Sequence, residues 1–66
     1  MPSSVIRSYS YSAKNRELTI TFVSGRRYVY TDVPQEEFDA FKAARSKGSY
    51  FNSEIRDCYS CFQLSR

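Results

Sequence analysis

Two thiols, three closely spaced carboxylates, a Ser-Lys-Gly-Ser joint and several arginines are the residues of this chain with chemistry to offer. The thiols form Cys58-Tyr59-Ser60-Cys61, and the chain has no histidine and no second cysteine pair. An ordinary zinc site needs four such donors, so the pair cannot complete one alone. A redox cysteine gains from a helix N-terminus, which stabilises thiolate. Here the pair is expected near a helix C-terminus, where the dipole opposes thiolate. The thiols therefore read as ordinary small side chains, with a redox or shared metal site as the alternative. Glu36, Glu37 and Asp39 read as solvated charges in a helix's first turn, where negative charge is favourable. No nucleophile stands beside a base. No catalytic residue, metal or cofactor is expected, and the chain reads as a binding module rather than an enzyme.

Anion contacts are better represented. Net charge is +3, and its distribution is uneven. Residues 1–31 carry five basic side chains against Glu17, residues 32–44 carry four acidic ones against Lys42, and residues 45–66 are basic again. Two basic segments flanking an acidic one suit an anionic partner. The candidate contacts are Arg7, Arg26, Arg27, Lys47, Gly48, Ser49 and Arg56. Gly48 is placed to stop one helix in a left-handed conformation, and Ser49 to cap the next. The free N–H groups of that second helix, with Lys47 and the Ser49 hydroxyl, could hold a phosphate. A plain helix-to-helix joint is the alternative.

These residues must be positioned by few elements. A chain of 66 residues is one domain, and a domain of this size buries only about 60% of its unfolded surface. Six Tyr and five Phe offset part of that deficit. Residues 5–11 read as a strand. Glu17 to Val23 alternates cleanly, with Leu18, Ile20 and Phe22 on one face and Thr19 and Thr21 on the other. Ser24-Gly25 turns the chain into a third strand, residues 26–31. Short connections make this an antiparallel meander. Pro34 opens a helix with Phe38 and Phe41 at helical spacing. A second helix is expected from Ser49 to about Tyr59, with Phe51, Ile55 and Tyr59 as its apolar stripe. The segment after Cys61 has no assigned element. The fold class is α+β: a three-stranded antiparallel meander followed by two helices packed on one face, β-β-β-α-α.

Turn parity decides where Tyr28 and Tyr30 point. A two-residue loop, Ser24-Gly25, puts Ile20 opposite Val29 and sends both tyrosines to the open face, where they could stack on bases. A three-residue loop, Val23-Ser24-Gly25, puts Ile20 opposite Tyr28 and Leu18 opposite Tyr30, and both join the core. A one-residue slip reverses every side chain. Serine is poor where a two-residue primed turn demands positive φ, whereas a bulged turn asks that of Gly25 alone. The three-residue loop is the expectation. The open face then carries Thr19, Thr21, Arg27 and Val29, with Arg7 a candidate to join them.

The ordered set Ser3-Ser4, Ile6, Tyr11, Leu18-x-Ile20-x-Phe22, Gly25, Tyr28-x-Tyr30, Val33-Pro34, Ser46-x-Gly48, Phe51 and Ile55 resembles the KTSC domain. That family is named after a C-terminal extension of some lysyl-tRNA synthetases. The resemblance covers about residues 3–60 and makes residues 1–66 a single KTSC-like domain. It brings no established activity, and it implies RNA as a suggested partner. Tyr9, in place of an aliphatic residue, and the Cys58/Cys61 pair depart from the family pattern.

Two functions follow as expectations. One is a small non-enzymatic module that binds RNA or a nucleotide through its basic surface. The other is a protein-interaction module or adaptor, using an edge strand or the aromatic segment from Tyr59 to Phe62. The chain has no apolar run of membrane-spanning length, and a cytoplasmic location is expected.

Overall fold

The computed structural model describes residues 5–64. The readings placed on Met1 to Ser4 and on Arg66 lie outside that range. Strands β1 (Ile6–Ser12), β2 (Glu17–Phe22) and β3 (Arg27–Tyr30) precede helix α1 (Gln35–Ala43) and helix α2 (Lys47–Tyr50). A π-helical turn over Phe51–Ile55 continues α2, and strand β4 (Cys61–Leu64) follows. The four strands form one antiparallel sheet in the order β1-β2-β3-β4.

The α+β class and the meander are as expected, and β4 extends the sheet by one strand. Its four residues are too short a run for alternation to declare itself. What places β4 is β3, whose outer edge would otherwise leave its backbone groups unpaired.

The three-residue loop joins β2 to β3. The Phe22 N–H donates to the Arg26 carbonyl at 2.9 Å, and the Gly25 N–H donates to the Phe22 carbonyl at 2.8 Å. Gly25 takes φ 97°, the left-handed conformation that asks for glycine. Leu18 therefore opposes Tyr30, and Ile20 opposes Tyr28. Tyr30 is only 4% exposed and belongs to the core cluster, with Tyr28 half-buried against it. The alternative of an exposed tyrosine stacking pair is overturned by this register.

Leu18, Ile20, Tyr30, Val33, Phe41, Phe51 and Ile55 form that cluster between sheet and helices. Tyr9 joins it from β1, edge-on to Phe41 at 5.0 Å and to Phe38 at 5.9 Å. Its ring does the work of an aliphatic side chain and reaches further. Tyr11 stacks on Phe38 at 4.5 Å, with the two planes only 8° apart.

The helix joint differs from expectation in three respects. Helix α1 stops at Ala43 with Ala44 extended, so no glycine ends it. Gly48 lies inside α2 and is buried. Ser46, not Ser49, is the N-cap, and its hydroxyl accepts the Ser49 N–H at 3.3 Å. The Ser-x-x-Ser spacing explains the difference, because a capping side chain reaches the third helical residue. The second helix also ends at Ile55 rather than near Tyr59. The Arg56 N–H bonds back to the Phe51 carbonyl at 2.8 Å, a five-residue closure that widens the turn. Phe51 and Ile55 are buried on its inner side.

Candidate functional site

Helices cover one side of the sheet, and the other side stays open. Cross-strand partners share a face, so the three registers define the open face residue by residue. One row across the sheet runs from Ser8 through Thr21 and Arg27 to Leu64. The adjacent row runs from Ser10 through Thr19 and Val29 to Phe62. Glu17 lies one further row along, opposite Ser12 and beyond Thr19 from the arginines.

A bulge shapes the charged end. The β1–β2 register shifts between Ile6 and Ser8, which leaves Arg7 as the extra residue. Arg7 thereby lines the open face together with Ser8, Ser10, Thr19, Thr21 and Arg27. They surround an open trough of about 440 Å³. No carboxylate is among its lining residues. Arg7 and Arg27 are exposed, with their charges in solvent. Two guanidinium groups beside serine and threonine hydroxyls offer the donors that phosphate and sugar oxygens accept.

The other candidate residues are not gathered there. Arg26 sits in the β2–β3 connection and is exposed. Lys47, Gly48 and Ser49 lie in α2, in the helical layer. With Gly48 buried and the Ser49 N–H already taken by Ser46, that joint offers little to a phosphate. Arg56 follows the π-helical turn and donates to Asn52 Oδ1 at 2.8 Å. The expected basic surface thus divides, and the sheet holds its coherent part, Arg7 with Arg27.

Cys58 and Cys61 are free and exposed. Cys61 opens β4 opposite Tyr30. Burial, with Cys61 beside it, pushes the Tyr30 hydroxyl up to about 12.

One carboxylate was missed as a structural group. Glu37 is half-buried, and its two oxygens accept the hydroxyls of Tyr50 and Tyr59, the latter at 3.0 Å. The bond to Glu37 raises the Tyr50 hydroxyl to about 12. Burial first, then the bond to Glu37, raises Tyr59. The signal was available: Glu37 precedes Phe41 by four residues and so shares its helix face. Glu36 and Asp39 are solvated, as expected.

Among the described residues no helix is long and apolar enough to cross a membrane. No cluster of three or more potential metal ligands occurs among them.

Comparison with known proteins places this architecture. The KTSC domain model matches residues 2–59. A lysine–tRNA ligase from Nostoc punctiforme is 42% identical over 62 residues, covering 94% of this chain and 11% of the ligase. The chain thus spans about a tenth of that relative's length. A protein from Tsukamurella paurometabola is 35% identical over 94% of this chain and 92% of its own length. A crystal structure of a KTSC domain protein from Yersinia pestis superposes with a TM-score of 0.86 at 34% identity, covering 98% of this chain and 94% of that one. Matched by the family model over most of its length and by relatives of its own size, the chain belongs to the KTSC domain family.

Proposed function

We propose that this domain is a non-catalytic module that binds RNA through the open face of its sheet. One observation carries the reading: Arg7 and Arg27 meet four hydroxyl side chains around a single trough with no carboxylate in its lining. Phosphate contacts of this kind position a nucleic acid without reading its sequence. Relatives named lysine–tRNA ligase carry a similar stretch, and such enzymes act on RNA. Two exposed free thiols suit a reducing, cytoplasmic setting.

Titration of isotope-labelled protein with short single-stranded RNA tests this by NMR. At low salt the amides of Thr19, Thr21 and Arg27 shift. Two phosphate contacts on a single strand give a logarithmic salt slope of about −1.4. The Arg7→Gln/Arg27→Gln double variant loses binding, while Lys47→Gln retains it. Absence of shifts at low salt, or full affinity in the double variant, refutes the reading.

A protein-interaction role is the second reading. The outer edge of β4 favours it, since β4 pairs with β3 alone and Cys61, Phe62 and Gln63 are exposed. Such an edge can accept a strand from a partner. It predicts a stoichiometric protein complex that survives nuclease.

A further inference from the structure

The open face has a second character that the arginines do not explain. Phe62 is 50% exposed, the one aromatic ring among the exposed large hydrophobic residues of the described chain. It lies on the trough's side of the sheet, paired directly opposite Val29. Val29 is itself 5% exposed and stands outside the helix-facing cluster. The polar row of Ser10 and Thr19 therefore ends in an apolar corner whose exposed surface is the Phe62 ring, with the buried Val29 beside it. Leu64 extends that corner beside Arg27.

The two rows are chemically distinct and run in parallel. The first carries Arg7 at one side and Arg27 further across. The second carries hydroxyls and ends in an aromatic ring. From β1 to β4 is three strand spacings, about 14 Å. A backbone with anions on one side and flat apolar groups on the other matches both rows. An unpaired nucleic-acid strand has this form, and a duplex does not, because its bases are stacked inside.

We infer that Phe62 is the base-stacking platform of this site, so that the face takes single-stranded RNA crossing the sheet, with phosphates on the Arg7–Arg27 row and a base on Phe62. The inference rests on the open face being the RNA contact proposed above, and it adds the strandedness of the ligand and the residue that senses it. Stacking on an aromatic ring is tolerant of sequence, because every base has a π-face. The site accordingly distinguishes unpaired from paired RNA rather than one sequence from another.

The chain has no tryptophan, so Phe62→Trp creates a single tryptophan reporter at the ring position, excited selectively beside the six tyrosines. Single-stranded oligoadenylate, a duplex of equal length and inorganic polyphosphate are the probes. Oligoadenylate quenches the Phe62→Trp emission. Polyphosphate competes with the oligonucleotide for the arginines and leaves the emission unchanged. In a labelled-oligonucleotide anisotropy assay, Phe62→Ala weakens single-strand binding about tenfold and leaves duplex binding as it was. Phe62→Tyr retains the single-strand preference. An unchanged thermal transition for Phe62→Ala confirms that the sheet is intact.

Three failures are distinct. Oligoadenylate that binds through Arg7 and Arg27, with no quenching and no effect of Phe62→Ala, overturns the stacking role and leaves the RNA reading standing. No binding of any nucleic acid at low salt overturns both. A Phe62→Ala variant that instead loses a nuclease-resistant protein complex, with no RNA binding in the parent, assigns the ring to the protein-interaction reading and overturns the inference.

Discussion

The Tyr11 hydroxyl donates to the Val33 carbonyl at 2.6 Å, tying the first strand to the connection that leads into α1. The two residues are 22 positions apart, so the bond links elements that local propensity does not bring together. Its acceptor belongs to a fully buried residue whose N–H bonds the Arg16 carbonyl at 2.9 Å. Tyr11→Phe keeps the ring stacked on Phe38 but leaves that carbonyl without the hydroxyl. Stability falls by about 1 kcal/mol. Urea denaturation measures this, and an unchanged midpoint would show that water replaces the hydroxyl without loss.

Glu37 of α1 holds two tyrosines, Tyr50 of α2 and Tyr59 beyond the π-helical turn. Glu37→Ala removes both acceptors and costs about 1–2 kcal/mol. The same variant moves the Tyr50 titration back toward the ordinary tyrosine value, read from the ultraviolet absorbance of tyrosinate. A Tyr50 titration unmoved by Glu37→Ala would locate its cause elsewhere.

Alkaline pH acts on Tyr50 and on the core tyrosine Tyr30 as well. Tyr30 and Tyr50 titrate near 12 in the fold, above the unfolded value of 10.0. Raised values mean that the fold favours the neutral hydroxyl. Their contribution is fully present below pH 10 and is lost as pH rises through 12. Chemical denaturation across that window should show stability declining steadily. A flat profile between those limits contradicts the assignment.

Gly25 controls which face each side chain of β3 occupies. Nothing lies within 4 Å of an added Cβ, so Gly25→Ala meets no clash. It meets backbone strain, because φ 97° is a conformation that alanine resists. The cost is about 1–2 kcal/mol. Gly25→Asn should cost less, since asparagine tolerates left-handed backbone better. Equal losses in both variants would point to a role beyond conformation.

How legible all this was depended on distance along the chain. The meander could be read because alternation in β2 and one turn fix its register locally. Tyr28 and Tyr30 followed from the conformation that Gly25 alone permits. The pairing of β4 could not be read, since four residues carry little pattern and their partner lies some thirty positions earlier. The helix joint failed for a related reason. Two serines and a glycine each offered a plausible boundary, and the choice of Ser46 as cap rests on packing that leaves Gly48 inside. Of the candidate contacts, Arg27 was placed by parity, whereas the bulge that turns Arg7 to the same face leaves no mark in composition. Phe62 was legible as the end of an aromatic contact segment, but its neighbours on the sheet were not, because they come from three other strands.

The strand carrying Phe62 also has a dynamic consequence. Segment β4 pairs along one side only and follows the helical layer in the chain. Regions held by few contacts open independently of the rest. The amides of β4 should therefore exchange with solvent far sooner than those of Leu18 and Ile20. A ligand that spans from Arg7 to Phe62 touches both outer strands at once. Binding would then suppress that opening, and the slowing of exchange in β4 would measure occupancy of the face directly.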